Sequence, residues 1–117
     1  FAGFVLREYV SSANLVQTKK TISIVQNVDD QDHQGCTALH VAVENPAGVQ
    51  PFKIFPVMKE LLRARADPDR GNMNGDTPVH FAAGMQGTIL EELFKQCCGR
   101  ANVAVQNCLG RTPLMVA

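Results

Sequence analysis

The sequence predicts an all-α fold made of tandem helix–turn–helix units. Three observations support that expectation. First, three segments repeat in register at near-constant spacing: Gly35-Cys36-Thr37-Ala38-Leu39-His40-Val41-Ala42, Gly75-Asp76-Thr77-Pro78-Val79-His80-Phe81-Ala82 and Gly110-Arg111-Thr112-Pro113-Leu114-Met115-Val116-Ala117. Second, larger apolar residues follow the first two segments at helical spacing: Val57, Met58, Leu61 and Leu62, then Ile89, Leu90, Leu93 and Phe94. Third, the chain of 117 residues is 45% hydrophobic and 19% charged, a balance that suits a folded domain or short array and argues against disorder.

Each repeated residue has a physical reading. Gly35, Gly75 and Gly110 stand where a turn passes into a helix, and glycine accepts positive φ without steric cost. Asp32, Asn72 and Asn107 come three residues earlier, where a short polar side chain favours a turn. Thr37, Thr77 and Thr112 are N-cap candidates. Pro78 and Pro113 follow at the first helical position, where the missing N–H costs nothing. The first helices should span roughly 38–44 and 78–84. Their small residues Ala42, Ala82 and Ala83 allow close approach. No unit of this size can bury its apolar face alone, so stability must come from stacking.

These segments resemble the ankyrin repeat, a unit of about 33 residues with a T-P-L-H-x-A core. Each copy departs at a different position: Ala38 for Pro, Val79 for Leu and Met115 for His. The stretches at 27–32, 66–69 and 101–107 are similar to the family's connecting hairpin. The resemblance covers 27–117 and implies an ankyrin-repeat solenoid with β-hairpin-like connecting loops. The expected organisation is a degenerate N-terminal repeat at 1–31, a repeat with an inserted helix–helix loop at 32–71, a repeat at 72–106 and the truncated start of another at 107–117. Phe4, Val5, Leu6, Tyr9 and Val10 suggest one helix in the degenerate unit, and Leu15, Val16, Ile22, Ile24 and Val25 a second element.

The insertion lies between Val43 and Val57. Pro46, Pro51 and Pro56 discourage helix there, so an extended loop is expected. Its Phe52, Ile54 and Phe55 either fold back as a local minicore or project as a partner-binding patch.

Composition excludes several functions. Eleven basic and eleven acidic residues cancel, which leaves no general attraction to nucleic acid or acidic membranes. No run reaches the roughly 18 apolar residues of a membrane span. The apolar start, Phe1 to Leu6, has no basic segment before it and does not read as a signal peptide. With no initiator Met, and an end inside a motif, the chain reads as a piece of a longer protein. Four cysteines and no glycosylation sequon favour a reducing intracellular compartment, cytoplasm or nucleus.

Chemistry is hard to find in the residues. Cys36 lies near His33 and His40, yet a third group and an oxyanion site are missing. Cys97, Cys98 and Cys108 fit no zinc spacing. Asp29, Asp30 and Asp32 lack the offsets of a calcium loop. The resemblance gives His40 and His80 a structural role, hydrogen-bonded with the motif Thr and to the neighbouring repeat. No catalytic, metal or cofactor residue is assigned, and neither an enzyme activity nor a small-molecule substrate is expected.

The resemblance implies a module that binds another protein through hairpin tips and the concave face of the first helices. Carried over by position, the contact candidates are His33, Gln34, Cys36, Met73, Asn74, Asp76, Leu109 and Arg111 on the hairpins and Glu44, Asn45 and Met85 on the helix face, joined by Phe52 and Phe55 of the insertion. The alternative is a regulatory or substrate-targeting segment of a multidomain enzyme whose catalytic domain lies elsewhere.

Overall fold

The computed structural model describes residues 2–25, 27–44, 51–83, 91–93, 95–96 and 106–112. Among the described residues five helices are defined: α1 (Ala2–Ser11), α2 (Leu15–Ile24), α3 (Ala38–Glu44), α4 (Pro51–Arg63) and α5 (Pro78–Ala83). Residues 91–93 and 95–96 are also helical. No strand occurs among the described residues.

The helices pack in two rows. α1 lies against α3, and α3 against α5; α2 lies against α4; α1–α2 and α3–α4 are the pairs within units. Helices α1, α3 and α5 thus form an inner row and α2 and α4 an outer row. Between the rows runs one core of Leu6, Val10, Leu39, Val43, Ile54, Met58, Leu61, Val79 and Leu93, each at most 1% exposed. Ala38, Ala42 and Ala82 sit in it as well. They are small where the inner helices meet.

Local chemistry sets the helix ends. The Asn14 side chain caps α2 by accepting from the Gln17 N–H at 3.1 Å. α1 closes on Ala13 at φ 56°, with Ala13 N–H bonded to the Val10 carbonyl at 3.0 Å and Asn14 N–H to Tyr9 at 2.9 Å. α4 closes the same way on Arg65 at φ 69°, with Arg65 N–H on Leu62 and Ala66 N–H on Leu61, both at 3.0 Å. Both ends are six-to-one caps that glycine would ordinarily occupy.

The expected loop is corrected by α4. Helix starts at Pro51 and continues through Pro56. Pro51 is harmless at a helix start. Pro56 removes one intrahelical bond, a cost of about 3 kcal/mol. Its helix buries Ile54, Val57, Met58 and Leu61 completely, and each such side chain is worth about 1.5–3 kcal/mol. Burial therefore outweighs the proline. Ile54 is core, and Phe55 is half-buried and packed against it. Pro46 and the rest of 45–50 lie outside the described residues, as does the side chain of Phe52.

Candidate functional site

One turn is built three times. Asp32 Oδ1 accepts from the N–H groups of Gln34 at 2.8 Å and Cys36 at 2.9 Å. Asn72 Oδ1 does so for Asn74 and Asp76, and Asn107 Oδ1 for Leu109 and Arg111. The same three residues donate their own N–H to the carbonyls of Cys36, Asp76 and Arg111, each at 2.9 Å. Within each turn the glycine takes positive φ, 81° at Gly35, 74° at Gly75 and 75° at Gly110.

The turns are tied to one another through backbone. Met73 N–H donates to the Gln34 carbonyl at 3.0 Å, and Cys108 N–H to the Asn74 carbonyl at 2.7 Å. Glycine is required by this approach. A Cβ on Gly35 would stand 2.7 Å from Met73 N, and one on Gly75 2.9 Å from Cys108 N.

Behind the turns, two histidines brace the seams. The Thr37 N–H donates to His40 Nδ1 at 3.1 Å, so that nitrogen is bare and Nε2 carries the proton. Nε2 then donates to the Asp76 carbonyl of the next turn at 2.7 Å. Thr37 Oγ1 accepts from the His40 N–H at 3.4 Å and caps α3. Thr77 and His80 repeat the arrangement, with Nε2 reaching the Arg111 carbonyl at 2.9 Å. His40 is fully buried, stands edge-on to Phe81 at 5.0 Å, and has its pKa lowered by desolvation.

This geometry leaves a row of tips facing solvent. His33, Gln34 and Asn74 are exposed. Met73 is 71% and Leu109 73% exposed. Cys108 and Arg111 are exposed beside them. Asp76 is half-buried and accepts from Asn107 Nδ2 at 2.8 Å. Glu44 is exposed at the end of α3. Asn45 and Met85 lie outside the described residues.

Cys36 departs from the expected exposed hairpin edge. It is buried, 7% exposed, with Asn72 Nδ2 at 3.8 Å from its sulfur. The neighbouring turn covers it. Burial pushes its thiol pKa up, which disfavours the nucleophilic thiolate. Both nitrogens of His40 are engaged elsewhere, so a Cys36–His40 pair is not assembled. The three aspartates likewise face separate partners. Asp29 accepts from the Asp67 N–H at 2.9 Å, Asp30 pairs with Arg7, and Asp32 holds its own turn.

A groove of about 300 Å³ lies between the inner row and the first turn, lined by Arg7, Glu8, Ser11, Asp32, His33 and Val41. Sequence reasoning missed the share of α1 in it. The motif does not extend into α1, and only the charged pair Arg7-Glu8 interrupting an apolar run hinted at an exposed edge.

Stacked helix pairs with turns laddered along one edge define a helical-repeat solenoid. Residues 34–73 match the family model described as Ankyrin repeat. The structure is similar to the crystal structure of the ankyrin repeat domain of Bcl-3, described as a unique member of the IkappaB protein family. The TM-score is 0.83 at 25% sequence identity, over 96% of this chain and 49% of that one. The chain therefore spans about half the length of that domain. Comparison with curated protein sequences returns no match. Ankyrin repeat domains are generally protein–protein interaction modules.

Proposed function

We propose that this chain binds a partner protein along its turn tips and the adjoining inner-helix face. The observation that carries the reading is the contrast within each turn. The tip backbone is held by at least four hydrogen bonds per turn, yet Met73 and Leu109 point large apolar side chains into solvent, 71% and 73% exposed. A rigid backbone presenting exposed apolar groups binds at low entropic cost, and Met and aromatic or aliphatic anchors are enriched in interface centres. His33, Gln34, Asn74 and Arg111 supply polar contacts around them. α1 and α2 act as an N-terminal capping repeat over 1–31, followed by units at 32–71, 72–106 and 107–117. Buried Cys36 and free Cys108 suit a reducing cytoplasmic or nuclear setting.

Affinity capture with the chain, compared with a Met73→Asp/Leu109→Asp variant of unchanged circular dichroism, tests the assignment. Recovery of specific partners should fall at least tenfold. Undiminished recovery of the same partners would remove the tips from the site.

A further inference from the structure

Charge in this neutral chain is sorted by face. The inner helices and the first two turns carry Glu8, Asp29, Asp30, Asp32, Glu44 and Asp76 against the base Arg7, which pairs with Asp30. The outer helices α2 and α4 carry Lys19, Lys20, Lys53, Lys59 and Arg63 against one acid, Glu60, which pairs with Arg63 at 3.6 Å. Lys19, Lys20, Lys53 and Lys59 are all exposed.

The apolar residues of α2 are divided between two faces, with Leu15 and Ile22 packed against the core. Thr18 and Thr21 share that core side, at 0% and 5% exposure, while Val16 and Ile24 stand out at 62% and 73%. Around the helix, Val16 falls among Lys19, Lys20 and Ser23, and Ile24 follows Lys20 by one turn. Further along the outer row, a groove of about 540 Å³ opens between α4 and residues 92–96. It is lined by Lys59, Leu62 and Arg63 of α4 and by Glu92, Lys95 and Gln96. Glu92 Oε2 accepts from Gln96 Nε2 at 3.0 Å.

We propose that the outer face of α2 and α4 is a second docking surface, separate from the turn tips, and that it takes an acidic protein segment bearing apolar side chains. Carboxylates of such a segment meet Lys19, Lys20 and Lys59, and its apolar residues cover Val16 and Ile24. Complementary charge selects this occupant and repels a basic one. The inner face, with its acidic excess, does not compete for it.

Random-peptide display tests the inference. The library is first depleted on a Val16→Ser/Lys19→Glu/Lys20→Glu/Ile24→Ser variant and then selected on the unmodified chain. The four sites are solvent-facing, and circular dichroism checks that the variant folds. Selected peptides should be rich in Asp and Glu together with Leu or Phe. Their affinity should fall at least tenfold with Lys19→Glu/Lys20→Glu, fall again in raised salt, and stay unchanged with Met73→Asp/Leu109→Asp. Failure to select peptides, or selection of peptides no more acidic than the library, overturns the proposal. So does sedimentation of the chain with phosphatidylserine vesicles in the absence of peptide selection, which would assign the face to a lipid surface. Loss of binding only with the tip variant would place the peptides at the turns and also overturn it.

Discussion

Two seams in this molecule join a helix to the turn of another segment, by different chemistry. Between the first and second turns, the neutral His40 imidazole, fully buried, links Thr37 to the Asp76 carbonyl. At the N-terminal end, Arg7 of α1 reaches the Asp30 carbonyl at 3.0 Å and its carboxylate at 3.2 Å, with Asp30 half exposed. The first seam excludes water, so an unmade hydrogen bond there is paid in full as desolvation. The second stays wet, so water replaces what is lost. The His40 seam is thus held by geometry that tolerates no substitute, and the Arg7 seam by contacts that do.

The largest expected effect lies at the glycines. Gly35→Ala forces a left-handed alanine, worth about 1–2 kcal/mol alone, and drives its Cβ into Met73 N. Gly110 has the same φ but nothing within 4 Å of its Cβ position. Urea denaturation should show Gly35→Ala losing roughly 2–4 kcal/mol and Gly110→Ala no more than about 2. Equal losses would mean that turn-to-turn contact contributes nothing.

Next comes His40. His40→Ala leaves the Thr37 N–H and the Asp76 carbonyl without their partner and should cost about 2–3 kcal/mol. The same residue gives a pH signature. Its folded pKa is lowered by burial from the ordinary 6.5. The unfolded chain therefore takes up the proton first as pH falls. The contribution of His40 to stability is complete above about 6.5 and is lost below it. Denaturation midpoints measured between pH 7.5 and 5 should fall less steeply for His40→Gln than for the unmodified chain. Arg7→Ala should cost about 0.5–1 kcal/mol and less in high salt. A loss from Arg7→Ala matching that of His40→Ala would erase the distinction between the two seams.

The smallest changes should be gains. Arg65 holds φ 69° at the end of α4, and Arg65→Gly should add about 1 kcal/mol by relieving it. Thr18 Oγ1 is buried without a hydrogen-bond partner among the described residues. Thr18→Val keeps the shape and should stabilise by up to about 1 kcal/mol. A loss on Thr18→Val would show that the hydroxyl is satisfied.

Much of the repeat architecture was legible because its determinants are local. The Asx residue, glycine and threonine of each turn, with the histidine of the first two, lie within nine residues of one another, and their roles follow from backbone chemistry alone. Helix α3 spans the expected 38–44. What could not be read depends on distant partners. Cys36 is buried by Asn72 of the next turn, and nothing near Cys36 encodes that. Helix α4 overrides its prolines through contacts with a core assembled from several units. The exposure of Val16 and Ile24 was illegible for the same reason: which apolar residues of α2 face the core depends on how the helix lies against α4. Of the candidate contact residues, the tips followed from motif position, whereas the contribution of α1 needed the stacked structure.

Both histidines end on backbone oxygen, and the turns are joined to one another amide to carbonyl. Main-chain atoms are the same whatever residue carries them. The amino acids at 33, 34, 73, 74 and 109 can consequently be exchanged over generations with little penalty to folding. A lineage carrying this scaffold can change what it recognises while keeping how it stands up.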